Sequence, residues 1–404
     1  MTERSPRITR LLEDLPDGGA QVVDDFWREV TATGTPLVEP AGADSALVTF
    51  LWRGEARYTA TGWGVQADLS RIPETDIWYA TQRLPANLRT LYYLQHGSDA
   101  VPDNPSGGGR SHVDLLNPRS VEFPRDRADP NDKAHWASLL ELPAAPPEPW
   151  STPQPGVARG SLLHTSLRTT ALGGRRRISV YRPAGAPPTP PALLVVFDGY
   201  LARRVMRIPT TLDNLTAAGR IPPALAIFVN SPSGARRMRE LRPGRAIRHF
   251  VTQELMPWAR HRWSFTDDRT QRVIAGASLG GLAAAYLGLV ASKDFGGVIA
   301  QSGSFWWPAP PAPEPEWLTH AYRRRDPLPL RFYLDVGDRE TVSTRGDGLD
   351  QVTVSRRFRD ALVERGYDVT YAEYAGAHDY VNWRRTFADG LVALLGEPAA
   401  TAAR

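Results

Sequence analysis

Among the side chains of this sequence that could carry chemistry, Ser278 has the most constrained neighbours. It sits in Gly276-Ala277-Ser278-Leu279-Gly280, with a glycine two residues before it and another two after. A serine hydroxyl is a poor nucleophile at neutral pH and needs a base, itself steadied by a carboxylate. Two histidines follow Ser278, His320 and His378. His378 lies in Tyr374-Ala375-Gly376-Ala377-His378-Asp379, just past a predicted strand, and is the candidate base. The candidate acid is in Val336-Gly337-Asp338-Arg339-Glu340, where Glu340 is favoured and Asp338 is the second choice. A dyad in which Glu340 is dispensable stays open. The chemistry of such a set is acyl transfer through a covalent serine intermediate. Its oxyanion needs two backbone N–H groups, for which the Leu279 and Tyr200 amides are the candidates.

These residues need elements to hold them. Arg272 to Ala275 is short, apolar and partly β-branched, as a central strand would be, and a helix rich in Ala and Leu follows from Gly281 to Ala291. Strand, G-x-S-x-G and helix together make a nucleophile elbow, in which any Cβ at the flanking glycines would clash. Around it, Ser161 to Thr169 and Arg175 to Tyr181 read as a hairpin about Gly173-Gly174. Further strands are predicted over Ala192 to Phe197, Ala224 to Asn230, Gly297 to Gln301, Leu330 to Asp335 and Asp368 to Tyr374. Helices alternate with them at Ile208 to Ala218, Ala246 to Met256, Val352 to Arg365 and Trp383 to Leu395, the second ended by Pro257. A hairpin followed by strand–helix alternation is the α/β-hydrolase order, with a mostly parallel sheet and the order Ser, acid, His. The tail after Gly396 reads as frayed.

The first part of the chain is patterned differently. Helix is predicted over Pro6 to Leu15 and Ala20 to Thr31, then strands over Ser45 to Trp52, Asp76 to Arg83 and Leu88 to Leu94, which suggests a small β-sandwich. Val101 to Arg110 and Asn117 to Lys133 read as loops. The proline-rich run 140–156 cannot sustain a helix or an interior strand, and it sets the expected domains at 1–150 and 157–404.

Composition bounds the rest. The chain has 404 residues, 42% hydrophobic and 23% charged, which suits two globular domains. There is no cysteine, which excludes disulfides, thiolate metal sites and a cysteine nucleophile. The N-terminus lacks an apolar signal core, and no apolar run approaches the ~18 residues of a membrane span. The expectation is a soluble cytoplasmic protein. The net charge of +4 is almost all arginine on the basic side, and no nucleic-acid-binding motif is present. On the expected rim of the site lie Ser304-Phe305-Trp306-Trp307, Trp383, Arg384 and the run Arg236 to Arg242. Indoles and guanidiniums together suit a flat, anionic aromatic ligand.

With these pieces placed, the chain resembles the enterochelin (enterobactin) esterase family. The matching stretches are VTFLWRG from residue 48, DIWYATQRLPAN from 76, LLVVFDG from 193, RRMREL from 236, VIAGASLGG from 273, SGSFWW from 302, GDRE from 337 and GAHDYVNWR from 376. The resemblance implies an N-terminal immunoglobulin-like sandwich joined to an α/β-hydrolase domain. It also implies a cytoplasmic enzyme that opens trilactone siderophores, mostly as ferric complexes, and releases the iron. It assigns Ser278 and His378 directly and Glu340 through the G-x-R-E match, and makes Arg237, Trp306 and Trp383 candidate catecholate contacts. No cofactor and no protein-bound metal is required, because iron would arrive inside the ligand. Another reading of the same machinery is a carboxylesterase for feruloyl or acetyl esters of carbohydrate.

Overall fold

A computed structural model of the chain describes residues 3–97, 110–130, 132–232, 234–308, 314–342 and 349–396. Most of the loop expected over 101–110 and the tail expected after 396 lie outside the described residues. The chain divides into two compact units, neither continuous in sequence. The first comprises Met1–Pro124, Ala134–Pro147 and Ala375–Val381, and the second Arg125–Lys133, Glu148–Tyr374 and Asn382–Arg404.

The first unit is built on two antiparallel sheets. One runs Leu37–Pro40, Ser45–Arg53, Ile77–Pro85, Ser70–Arg71, and the other Ala67–Asp68, Tyr58–Trp63, Arg89–Gly97, His135–Glu141, Ser120–Phe123, with Arg110–His112 also on Arg89–Gly97. Alternation along the strands assigns their side chains. Ala46, Val48 and Phe50, with Trp78, Ala80 and Leu84, enter a core shared with Tyr92 and Leu140 of the facing sheet. Leu51, Ile77 and Tyr79 point the other way, onto Ile8, Leu11, Val23 and Val30 of the helix Pro6–Thr33. Both faces of Ser45–Arg53 are therefore covered, which is why its sequence is almost continuously apolar. The helix joins the two segments expected there through a kink at Gly19, whose φ is 52°. Asn117 to Lys133 is not all loop, since Ser120–Phe123 pairs with the first half of His135–Glu141.

The second unit holds an eight-stranded sheet in the order Ser161–Thr169, Gly174–Arg182, Ala224–Val229, Ala192–Val196, Arg272–Ala277, Gly297–Gln301, Arg331–Gly337, Asp368–Tyr374. The hairpin is antiparallel and the strands from Ala224–Val229 onward are parallel. Chain order reverses at Ala192–Val196, whose two neighbours are the next two parallel strands in sequence. Ligands of open parallel sheets bind beyond the carboxyl ends of the strands at such a switch point. One expected helix runs on past its predicted end. The segment expected to end at Met256 continues to Arg262 as Arg245–His249, a π turn over Phe250–Leu255, then Met256–Arg262. The Met256 amide reaches back five residues to Val251. The wider turn relieves the clash and the lost hydrogen bond that Pro257 would impose on a regular helix.

Candidate active site

The strand Arg272–Ala277 delivers Ser278 at φ 57°, ψ −122°, and the helix Leu279–Val290 starts at the next residue. A non-glycine residue there is strained by roughly 1–3 kcal/mol and must be held by its surroundings. The glycines provide the room. A Cβ on Gly276 would lie 2.5 Å from the Gly280 backbone, and one on Gly281 would lie 3.1 Å from Gly303 Cα. Neighbouring backbone completes the clamp: Ser278 N donates to Gln301 O at 2.8 Å, and Ser304 N donates to Ser278 O at 3.0 Å. The helix ladder begins with Leu282 N to Ser278 O at 3.1 Å, so the Leu279 amide belongs to the unladdered first turn. Ser278 itself is half-buried.

Past the end of Ala192–Val196, Asp198 adopts a left-handed conformation (φ 52°, ψ 40°) and opens the short helix Gly199–Arg204. A Cβ on Gly199 would come 2.7 Å from the Phe228 backbone. The first bond of this turn is Ala202 N to Asp198 O at 3.1 Å, which leaves the Tyr200 amide ahead of the ladder, as for Leu279. Arg237 grips the Asp198 carboxylate with two donors, Nε at 2.7 Å and Nη2 at 2.6 Å. Two of its donors are thus committed to shaping this loop. Two other arginines of the expected rim are also engaged: Arg236 pairs with Glu240 and Arg384 with Glu148.

The two candidate acids have different environments. Asp338 is exposed, whereas Glu340 is 7% exposed. Glu340 Oε1 accepts from Gly337 N at 2.9 Å and from Ser302 Oγ at 2.6 Å. Ser302, fully buried at φ 43°, accepts in turn from Trp383 Nε1 at 3.0 Å. This corrects the expectation for Trp383. At 3% exposure, with its N–H given to Ser302, it is an interior support of the Glu340 side chain and has no face to offer a ligand. Trp306 remains half-buried, its Nε1 donating to Gln351 Oε1 at 3.2 Å and its ring 5.3 Å from Trp307. Beneath the acid, burial of Asp335, aided by the Glu340 charge, pushes its carboxyl up to about 7 against the hydrogen bonds of Thr386 and Gln301.

His378 lies four residues past the strand Asp368–Tyr374, on the segment Ala375–Val381 that is part of the first unit. Within that unit its carbonyl accepts from Trp63 Nε1 at 3.1 Å. The neighbouring Asp379 is fully buried, and its Oδ2 accepts from Thr90 Oγ1 at 2.6 Å and Leu91 N at 3.3 Å. Ser302, Asp379 and Thr90 were not singled out from the sequence. Asp379 had one signal, its place beside the candidate base; Ser302 had its place at the head of the SGSFWW stretch, and Thr90 lies in a run that reads only as strand. Among the described residues there is no group of three or more His, Asp or Glu side chains arranged to hold a metal, and no helix is long and apolar enough to cross a membrane.

Comparison with known proteins bears on this geometry. Residues 47–151 match the family model described as the N-terminal domain of enterochelin esterase, and residues 169–394 match that described as putative esterase. The chain is 32% identical to the iron(III) enterobactin esterase of Dickeya dadantii, with 92% of each chain covered. It is 29% identical to the iron(III) salmochelin esterase of Escherichia coli, over 98% of this chain and 99% of the other. Among solved structures it is similar to the ferric enterobactin esterase from Salmonella typhimurium, with a TM-score of 0.72 and 25% identity over 92% of this chain and 98% of that one.

Proposed function

The chain belongs to the enterochelin esterase family, and on that premise we propose that it is a serine esterase that opens and hydrolyses a catecholate trilactone siderophore, as the ferric complex, inside the cell. The observation that carries this reading is the strained Ser278 elbow beyond the carboxyl end of a parallel strand, next to the switch point of the sheet. Ser278 Oγ attacks an ester carbonyl while His378 takes its proton. The Leu279 and Tyr200 amides receive the oxyanion. As the tetrahedral intermediate collapses, His378 returns the proton to the leaving seryl oxygen, and the ring opens to a linear acyl-enzyme. Water, deprotonated by His378, then releases the acid and restores Ser278. Glu340 is the acid of this reading: a buried carboxylate held by Gly337 N and Ser302 Oγ suits the role of steadying the imidazolium better than the exposed Asp338.

Iron is cargo of the substrate and is bound by its catecholates. Trp306 and Arg237 are the proposed ligand contacts. Nucleic acid and membrane have no part in this reading, and the proposed compartment is the cytoplasm. The match of residues 47–151 to the enterochelin esterase N-terminal model favours a siderophore over feruloyl or acetyl esters of carbohydrate. The test is a chromatographic time course with ferric enterobactin, iron-free enterobactin and a feruloylated sugar. Stepwise appearance of linear trimer, dimer and monomer is expected. Turnover of the feruloyl ester with an untouched trilactone would contradict the reading.

A further inference from the structure

We propose that the first unit acts on the chemical step itself, as a positioning element for the general base, with Asp379 and Thr90 as its key pair. The inference rests on the assignment of His378 as that base.

A base in a loop is only as well placed as the backbone beneath it, and a misplacement of an ångström costs on the order of a hundredfold in rate. Within the first unit, four of the seven residues in Ala375–Val381 are tied to strands or aromatic side chains of the sandwich. Ala375 O accepts from Arg89 N at 3.5 Å, His378 O from Trp63 Nε1 at 3.1 Å, and the Tyr380 ring stands edge-on to Phe123 at 5.4 Å. The strongest tie is Asp379. A fully buried carboxylate is costly unless hydrogen-bonded, and here one oxygen takes both the Thr90 hydroxyl and the Leu91 amide. Both donors sit on Arg89–Gly97, an interior strand of its sheet, so the clamp is anchored to a rigid element. The sequence also keeps space for it: a Cβ on Gly64 would fall 1.8 Å from Thr90 Oγ1. Trp63 is fixed as well, at φ 78° with its ring 5.5 Å from Phe123.

Thr90→Val keeps the shape of the side chain and removes the hydroxyl donor. The test measures kcat and KM of this variant on ferric enterobactin and on p-nitrophenyl acetate, an ester too small to need a shaped pocket. The proposal expects kcat to fall about ten- to a hundredfold on both esters, KM for the siderophore to stay within about twofold, and Thr90→Ser to restore the rate. Wild-type kcat on both esters, or a loss confined to siderophore KM, would overturn it. Should Thr90→Val fail to fold, Trp63→Phe, which removes the donor to the His378 carbonyl, must show the same kcat-only loss. His378→Gln is measured beside them. If it is inactive while Thr90→Val and Trp63→Phe behave as wild type, this proposal alone fails; if it retains activity, the assignment of the base fails and this proposal with it.

Discussion

Ser278 and His378 both follow parallel strands of one sheet, yet they are held in opposite ways. The serine turn is held by what is near it in sequence and by the next strand: Gly276 and Gly281 make room, and Gln301 and Ser304 clamp the backbone. The histidine loop is held by side chains far away in sequence, the Thr90–Asp379 bond spanning 289 positions. Glu340 is intermediate. Its Oε1 takes one bond from the turn it belongs to, at Gly337, and one from Ser302 on a neighbouring strand end, backed by Trp383. Turn glycines and the adjoining strand end thus shape the Ser278 elbow, while hydrogen bonds from distant side chains hold the loop of the proposed base.

The sharpest break in this comparison comes from the nucleophile. Ser278→Ala should lower kcat by about 10⁴-fold or more on every ester, with the thermal midpoint near wild type because alanine keeps the Cβ and with it the elbow strain. Next, Glu340→Gln should cost about 10²- to 10⁴-fold in kcat, measured on the same esters, while Asp338→Asn stays near wild type. Reversal of that order would move the acid to Asp338. Ser302→Ala and Trp383→Phe loosen the acid without touching substrate, so about a tenfold fall in kcat at constant KM is expected for each, and the double variant should be less than additive. A Trp383→Phe effect confined to KM would return that indole to the ligand.

The smallest effect is on stability. Asp335 keeps its proton in the folded protein up to about pH 7, whereas the unfolded chain releases it near its ordinary value of 3.8. Between those limits the folded state holds the extra proton, so stability declines as pH rises through about 4 to 7 and levels off above. Asp335→Asn should flatten that decline in urea midpoints measured at about pH 5 and pH 8. An unchanged slope would mean that another group sets it.

What could be read from the sequence follows the same division. The strands Ser161–Thr169, Gly297–Gln301 and Asp368–Tyr374 are legible to the residue: Gly297–Gln301 as a short buried apolar run, the other two from turn residues at their ends, Gly160 and Gly173-Gly174 for the first and Gly366 and Gly376 for the last. The elbow is legible because its glycines are adjacent to the serine. The π turn before Pro257 is not, since proline alone says that a regular helix should stop. Nor is the short strand Tyr58–Trp63, whose Gly62 weakens the pattern while its pairing with Arg89–Gly97 decides the matter. Trp383 read as a rim residue because its distance from His378 in sequence is short. Its burial depends on Ser302, a partner 81 positions earlier.

In the proposed reaction Ser278 carries the acyl group of the opened siderophore. Turnover of ferric enterobactin quenched with acid, followed by peptide mass mapping, tests it directly. A linear-trimer adduct is expected on the peptide containing Ser278, lost in Ser278→Ala together with product formation. Continued hydrolysis by Ser278→Ala, or an adduct on any other residue, would contradict it.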